Sequence, residues 1–353
     1  MSIWLRAAGC GAVVMTLSVA PLAAQAFSAD RLQVHGYLTQ GFGGASDLPI
    51  YGLEKKGSGD FRVAALQFRY AVTPKDNVVF QFEHRRMGSS LINTLTDDVT
   101  FDWGFYQHRF GQLSVKAGKM PLPMGIFTGY RDVGTILPFY RAPFTYYPDS
   151  YETIDGALVG TRLDLGHGFT LAPEAYAGGL NFFGVFPTPV GPQPVKVRAN
   201  GVYGGQAWLE LPIKGLRLGG GYLTSSMVGL ETHAPHVSID GNFERFFVRG
   251  EFMGIGGSGT HLRFYYAQAG VHVTRRLGLN GQAEFSDNGI GIVGYKNTLR
   301  DVAGGATFAF TQGLVAKFEQ HHATGFGFDQ FAASAAGPRG QTWYSIASLA
   351  VSF

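Results

Sequence analysis

Residues 343–353, at the end of the chain, read WYSIASLAVSF and alternate between large apolar and smaller residues. The odd-numbered face carries Trp343, Ala347, Leu349, Val351 and Phe353, and it is interrupted only by Ser345. The even-numbered face is smaller and more polar. Because successive side chains of a β-strand point to opposite sides, this alternation predicts a strand with one apolar and one polar face.

The same alternation recurs earlier in the chain. One stretch places Ala64, Leu66, Phe68, Tyr70 and Val72 on one face, with Ala65, Gln67 and Arg69 on the other. Another sets Val78, Phe80 and Phe82 against Gln81, Glu83 and Arg85. A soluble secreted β-protein and a membrane barrel both contain such strands, so alternation alone leaves these two classes open.

The composition narrows the possibilities for a membrane-spanning structure. Charged residues make up only 15% of the 353 residues and aromatic residues 14%, yet no stretch of 18 consecutive apolar residues occurs. Within a bilayer every backbone N–H and C=O must find a partner, and without long apolar helices a closed barrel is the remaining solution. The formal net charge of +3 excludes nucleic-acid binding through bulk charge.

The N-terminal residues 1–26 have the organisation of an export signal. Arg6 precedes an apolar run over residues 7–20, and the segment closes on the small-residue pattern Ala24-Gln25-Ala26. We expect cleavage before Phe27, which leaves residues 27–353 as a single barrel domain. The only cysteine, Cys10, lies in this signal. A lipoprotein anchored at Cys10 is the alternative, but only three residues of the apolar run precede it.

The connections favour the membrane barrel over the soluble protein. Short turns alternate with longer connections, as in outer-membrane barrels with tight periplasmic turns. The segments predict an all-β, transmembrane, antiparallel up-and-down barrel of about sixteen strands, at 32–42, 61–72, 78–87, 99–110, 113–120, 154–165, 169–179, 200–211, 216–225, 233–240, 243–253, 261–273, 278–286, 300–310, 314–321 and 342–353. Fourteen or eighteen strands are alternatives. The strand at 233–240 is the weakest prediction because it contains Pro235.

Residues 121–153 form the longest connection, PLPMGIFTGYRDVGTILPFYRAPFTYYPDSYET. Its aromatic residues argue against disorder, and its five prolines lower the entropy lost when the loop is held in one place. We therefore predict a loop folded into the lumen after the fifth strand, with a pore constriction formed by Arg131, Asp132, Arg141 and Lys119. The alternative is a solvated extracellular lid.

If the polar face of each strand points inward, charges of both signs line the lumen. The basic positions are Arg69, Arg85, Arg162, Arg217, Arg245, Arg249 and Lys317. The acidic positions are Glu83, Glu174, Glu210, Glu251, Glu284 and Glu319. Neither sign dominates, and the slight basic excess predicts a mild anion preference. Pairing between neighbouring strands is the alternative role of these residues.

Enzyme motifs are largely absent from the sequence. Ser258, His261 and Asp287 could be assembled into a hydrolase site, but Ser258 lacks the nucleophile-elbow spacing. Gly254, Gly256 and Gly259 match a dinucleotide spacing without the helix that binds the pyrophosphate. We expect no enzymatic activity, no metal site and no cofactor. A barrel with a hydrolase site and a structural or adhesive barrel are the alternatives.

The loop resembles a stretch shared by a group of Gram-negative porin-like outer-membrane proteins. The resemblance rests on Gly118-Lys119, Pro123-x-Gly125, Phe127, Arg131-Asp132-Val133, Pro138, Pro143 and Tyr146-Tyr147. The signal, the strand spacing and Phe353 extend it over the chain. It implies a 16-stranded porin of the general type, commonly a trimer, that admits small hydrophilic solutes. The sequence is also weakly similar to phosphate-selective porins, but it lacks their dense ladder of basic lumen residues.

The resemblance also implies the partners of the chain. Its terminal aromatic residue, Phe353, would be the insertion signal read by the barrel-assembly machinery. The other expected partners are outer-membrane lipid and lipopolysaccharide, small hydrophilic solutes or ions, and further copies in a homotrimer. The expected location is the cell outer membrane, reached by export through the periplasm.

Overall fold

A computed structural model of the chain describes residues 28–94, 98–186, 193–227, 230–257, 259–290, 295–325 and 340–353. The predicted export signal, residues 1–26, and Ser258 lie outside the described residues. Within the described ranges, no helix is long and apolar enough to cross a membrane.

The described residues form seventeen strands and two short 3-10 helices, Ala29–Arg31 and Leu91–Thr94. The strands are β1 Leu32–Ala45, β2 Ser58–Ala71, β3 Asp76–Met87, β4 Thr100–Phe110, β5 Leu113–Pro121, β6 Thr153–Gly160, β7 Leu163–Gly166, β8 Phe169–Phe186, β9 Gln193–Glu210, β10 Leu216–Met227, β11 Leu230–Asn242, β12 Phe246–Gly257, β13 Thr260–His272, β14 Leu277–Ile290, β15 Tyr295–Thr311, β16 Leu314–Gly325 and β17 Gly340–Ser352. Both β6 and β7 pair with β8, so they are two parts of one strand of the wall. The predicted sixteen-stranded antiparallel barrel is therefore confirmed.

The sheet closes on itself because β1 pairs with β2 on one side and with β17 on the other. Tyr37 lies opposite Ser352 across this closing seam. The uncertain strand at 233–240 is present within β11, where Pro235 lies opposite Tyr222 of β10. On its other side, the ladder with β12 is interrupted between His233 and His236, as expected at a proline that lacks an N–H.

The two faces of the wall differ as the sequence predicts. On β17, Trp343, Leu349 and Val351 are exposed on the outer face, while Tyr344 and Ile346 are buried on the inner face. Buried polar residues such as Gln81, Gln268 and Asp301 lie inside the barrel. Apolar outside and polar inside is the arrangement of a barrel that faces lipid.

Short turns gather at one end of the barrel, which we call the short-turn end. They are residues 72–75, 111–112, 167–168, 211–215, 243–245, 273–276 and 312–313. The opposite, long-loop end carries longer connections such as 46–57 and 88–99. Residues 122–152 leave the wall after β5 and fold into the lumen, where Phe127 and Tyr146 are fully buried against Met253 and Tyr266 of the wall.

Phe353 closes the seam at the short-turn end. Its N–H donates to the carbonyl oxygen of Gly36 and its carbonyl accepts from the Gly36 N–H, both at 3.0 Å. Its ring covers Gly36 so closely that a Cβ there would lie 2.5 Å from the ring. The terminal residue therefore completes the pairing between the first and last strands.

We expect deletion of Phe353 to reduce the number of assembled barrels because it removes two backbone hydrogen bonds and the ring that covers Gly36. The barrels that do form should keep a unit conductance close to that of the wild type, since Phe353 is 72% exposed at the rim and shares the outward parity of Leu349 and Val351. Heat-modifiable gel mobility counts folded barrels, and single-channel recording gives the conductance. A wild-type yield of folded barrels would contradict this role.

Candidate channel constriction

Three buried glutamates on alternate strands hold the in-folded loop. They are Glu251 on β12, Glu284 on β14 and Glu319 on β16. Each carboxylate accepts a backbone N–H of the loop, at 3.0, 2.8 and 2.7 Å, from Ile126, Thr145 and Tyr140 respectively. A buried loop needs such partners because its backbone groups cannot reach water or a neighbouring strand.

Glu251 carries the largest share of this anchoring. Its carboxylate also accepts the hydroxyls of Ser238 at 2.5 Å, Tyr266 at 2.6 Å and Tyr147. The sequence predicted Glu251 as a residue lining the lumen. It does point inward, but it is only 3% exposed beneath the loop and does not border an open path.

On the side of the lumen near β3 and β4, a layer of charged side chains lies between the loop and the wall. We call this set the ionic layer: Glu83, Arg85, Asp102, Arg131, Asp132, Arg141, Asp149 and Glu152. Arg85 is at its centre, with its guanidinium 2.7 Å from Glu83 and 3.0 Å from Asp132. The same guanidinium reaches Glu152 at 2.7 Å and donates to Asp149.

Asp149 ties the end of the loop into this layer. Its Oδ1 accepts from Arg85 and, at 3.0 Å, from Arg141, and it lies 3.7 Å from Arg131. Burial acts to raise the pKa of Asp149, but Arg141, Arg85 and Arg131 more than offset it and lower the pKa to about 2. Asp149 is therefore ionised at neutral pH.

Asp132 behaves differently although it lies in the same layer. Burial raises the pKa of its carboxyl, Arg85 opposes that shift only in part, and the negative charge of Glu152 adds to it. Asp132 is thus easier to protonate than Asp149. The ionic layer therefore contains two loop carboxylates that titrate in different pH ranges.

The ionic layer carries an excess of negative charge. Among the described residues it contains five carboxylates and three guanidinium groups, a formal balance of −2. Asp102 accepts a hydrogen bond from Gln81 at 2.7 Å and forms no ion pair within the described part of the chain. Oxygens of Glu83, Asp132 and Glu152 lie within 4.8 Å of one another, but Arg85 contacts all three carboxylates.

Two cavities meet at this layer. The outer cavity, of about 270 Å³, opens toward the long-loop end and is lined by Glu83, Arg85, Asp102, Asp149 and Glu152 together with Ile92 and Asn93. The inner cavity, of about 240 Å³, opens toward the short-turn end and is lined by Arg131, Asp132, Tyr37, Gln81, Ser352 and Phe353. The Arg85–Asp132 ion pair joins the lining of one cavity to that of the other.

The structure brings together three of the four residues predicted for the constriction, namely Arg131, Asp132 and Arg141. The fourth, Lys119, lies near the end of β5, where its ammonium donates to the carbonyl oxygen of Phe101 at 2.6 Å. Its side chain borders the outer cavity together with Arg85 and Glu152 of the ionic layer.

Several of the other residues predicted to line the lumen pair with neighbouring side chains, while Lys317 donates to the backbone carbonyl of Phe139 in the loop. Glu83 and Arg85 belong to the ionic layer. Arg69 donates to Asn77 at 3.3 Å, and Arg162 pairs with Glu210 at the rim. Arg217 and Arg249 both pair with Asp240, at 2.8 and 2.9 Å. The predicted place of Arg245 on a strand is wrong, because β12 begins at Phe246 and Arg245 lies in the exposed turn 243–245.

Asp102, Asp149 and Glu152 are members of the ionic layer that the sequence did not predict. Asp102 sits at a register shift between β3 and β4, where a regular alternation cannot assign it a face. Asp102 lies between Phe101 and Trp103, and its acidic side chain was nevertheless a usable signal of an inward position, because charges on the lipid face of a barrel are costly. Asp149 and Glu152 lie in the same loop, C-terminal to the predicted constriction residues Arg131, Asp132 and Arg141.

No protein-family model matches the sequence, and no curated protein matches it significantly. Solved structures match over nearly the whole chain. Salmonella typhi OmpF, in complex with daunomycin, has a TM-score of 0.63 at 11% identity over 93% of this chain and 99% of its own. An anion-selective porin from Comamonas acidovorans has a TM-score of 0.56 at 10% identity over 91% and 99%. The outer membrane channel DcaP of Acinetobacter baumannii has a TM-score of 0.55 at 10% identity over 91% and 97%.

These likenesses define the class of protein by its fold. The chain shares the closed antiparallel β-barrel fold of these outer-membrane porins and channels, and the predicted porin-like fold is confirmed. A location in the cell outer membrane agrees with these neighbours and with the apolar outer face.

We expect Glu251→Ala to lower the free energy of unfolding by about 3 kcal/mol or more, because it leaves several buried donors without an acceptor. Denaturant unfolding of the refolded barrel in detergent measures this change. Glu210→Ala is the matched control, since Glu210 pairs with an exposed arginine at the rim and should change stability by about 1 kcal/mol or less. Equal effects of the two variants would contradict the anchoring role.

Proposed function

We propose that the chain is a porin that forms a water-filled channel for passive diffusion of small hydrophilic solutes and ions across the outer membrane. The observation that carries this proposal is the pair of cavities that meet at the ionic layer. The other part of the lumen is filled by apolar contacts between the loop and the wall. Solutes would therefore pass beside β1 to β4, with the short turns on the periplasmic side.

The ionic layer can act as a selectivity filter that does not react with the solute. Opposed charges across a narrow aqueous zone orient water and favour polar over apolar solutes. The proposal includes no catalytic residue and no cofactor. We also propose that residues 1–26 direct export and that the barrel-assembly machinery reads Phe353 as its signal. The assembled barrel would contact lipid and lipopolysaccharide.

We propose a cation preference in place of the mild anion preference that the overall composition suggests. The formal balance of −2 belongs to the layer between the two cavities, whereas Arg162, Arg217 and Arg249 are paired elsewhere and Lys119 and Lys196 line only the outer cavity. Charges close to the path dominate selectivity because ionic screening weakens more distant charges.

We also propose that the chain assembles as a homotrimer. A trimer form of OmpT, an outer membrane protein of Vibrio cholerae, shares the fold with a TM-score of 0.50 at 11% identity. Closed cyclic symmetry is the usual form of such assemblies.

In planar bilayers we expect the refolded chain to give discrete conductance steps. Arg85→Ala should raise the unit conductance, because it removes the guanidinium that joins the linings of the two cavities. Arg217→Ala is the matched control, since Arg217 pairs with Asp240 and borders neither cavity. Absence of channels in the wild type would refute the porin function, and equal conductance in both variants would refute the constriction at Arg85.

In a potassium chloride gradient we expect a reversal potential whose sign shows that potassium permeates more readily than chloride. The preference should fall as the pH is lowered from neutral, because the raised pKa of Asp132 makes this carboxylate lose its charge while Asp149, with a pKa of about 2, stays ionised. Asp132→Asn should weaken the preference already at neutral pH and reduce its pH dependence.

Asp164→Asn is the control for this experiment. It removes the same charge from the exposed strand β7 at the short-turn end and should leave the reversal potential unchanged. A reversal potential of the anion-selective sign would show that the ionic layer does not set the selectivity.

A further inference from the structure

The connection between β1 and β2, residues 46–57, folds its tip into the mouth of the lumen. At the tip, the N–H of Ile50 donates to the carbonyl of Leu53 at 3.1 Å, and the N–H of Leu53 donates back at 2.8 Å. We call residues 50–53 the buried hairpin, because Ile50, Tyr51 and Leu53 are all buried, whereas connecting segments usually lie on the surface. The buried hairpin packs in one apolar cluster with inner-face residues of the wall, namely Phe61, Leu299, Ala323 and Ile346.

Tyr51 has a backbone conformation that a bulky side chain disfavours. Its φ angle is +52° and that of Gly52 is +78°, and two positive values in succession are typical of a type I′ turn. Such turns favour Asn-Gly, Asp-Gly or Gly-Gly, because a bulky residue in this region brings its Cβ too close to the backbone. The turn itself therefore does not explain a tyrosine at this position. The explanation must lie in the contacts of the Tyr51 ring.

A second turn provides a comparison. His167 is the other non-glycine residue with a positive φ angle in the described part of the chain, at +53°, and Gly168 follows it at +82°. This turn joins β7 to β8 at the short-turn end, and the side chain of His167 is exposed. The same backbone strain thus occurs beneath a buried ring at Tyr51 and beneath an exposed ring at His167. The effect of the strain can therefore be separated from the effect of the buried ring.

The Tyr51 ring contacts the in-folded loop and the wall at the same time. Its centroid lies 4.1 Å from that of Phe144 in the loop and 6.0 Å from that of Tyr344 on β17. The next residue, Gly52, fixes the buried hairpin to the connection after β3, since its carbonyl accepts the N–H of Ser89 at 3.0 Å. The wall therefore holds the buried hairpin, and the ring of Tyr51 confines Phe144.

Phe144 connects the Tyr51 ring to the ionic layer. The guanidinium carbon of Arg141 lies 4.2 Å from the centroid of the Phe144 ring, a cation–π contact. The same guanidinium donates to Asp149 at 3.0 Å, and Asp149 lines the outer cavity. The cavity bordered by Tyr51, Arg141 and Phe144 has a volume of only about 20 Å³, so Arg141 has little space in which to move away from Asp149.

We infer that Tyr51 is a positioning residue of the channel, which keeps Arg141 on Asp149 and so sets the charge presented to the outer cavity. The inference rests on the proposed porin function and adds to the constriction a residue from a second loop, outside residues 121–153. Without the ring, Phe144 gains space and Arg141 loses the surface that confines it. Part of the charge of Asp149 is then uncompensated at the cavity, and a carboxylate close to the path favours cations.

Tyr51→Asn tests this inference, because asparagine suits a type I′ turn but lacks the ring. In a potassium chloride gradient, the reversal potential should shift toward greater cation preference, in the same direction as in Arg141→Ala and by a smaller amount. In the Arg141→Ala background, Tyr51→Asn should cause no further shift, because residues that act through one another have non-additive effects. Tyr51→Phe retains the ring and should retain the wild-type reversal potential.

His167→Asn is the matched control, since it relieves the same backbone strain at an exposed turn and should leave the reversal potential unchanged. Phe144→Leu removes the ring between Tyr51 and Arg141 and should reproduce the shift, so the test does not depend on the folding of one variant. Heat-modifiable mobility shows which variants fold.

Hydrogen exchange of the loop amides provides a readout that needs no channel. In Tyr51→Asn the amides of residues 141–147 should exchange faster than in the wild type, and in His167→Asn they should exchange at the wild-type rate. Wild-type exchange and a wild-type reversal potential in both Tyr51→Asn and Phe144→Leu would overturn the inference while leaving the porin function standing. A further shift of full size in the Arg141→Ala background would also overturn it. Absence of channels in the wild type would instead refute the porin function itself.

Discussion

The constraint on which this structure depends is that every backbone N–H and C=O at membrane depth must be paired. Closure of β1 on β17 satisfies it for the wall. The same constraint governs the loop, because residues 122–152 leave the wall and can no longer pair with neighbouring strands. Glu251, Glu284 and Glu319 supply acceptors to the loop from the wall, so the interior needs polar side chains even where no solute passes.

The loop divides the lumen into two parts of different chemistry. Phe127, Tyr146 and Tyr147 pack against Tyr266 and Met253 and exclude water from one part. The opposite side of the loop presents charged side chains to β3 and β4, and the two cavities lie there.

The strands could be predicted because a wall that faces lipid requires apolar and polar residues to alternate along each strand. Arg131, Asp132 and Arg141 could be predicted because they lie in one long loop. The face of Lys119 was harder to assign, because Lys116 lies three residues before it and both lysines of a regular strand cannot point inward. The direction of Glu251 was predictable, but its burial was not, since the sequence does not show where the loop lands. Asp102 depended on a register shift, which alternation does not reveal.

The ionic layer is poorly explained by stability. Desolvation of buried charges offsets much of their attraction, and well-packed apolar side chains of similar volume are often at least as stable. Such apolar packing occurs in the same lumen, where the loop packs on Met253 and Tyr266. Arg85, surrounded by four carboxylates, instead keeps polar groups where the two cavities meet. A charged layer at this place is therefore better explained by the passage of water and ions than by folding.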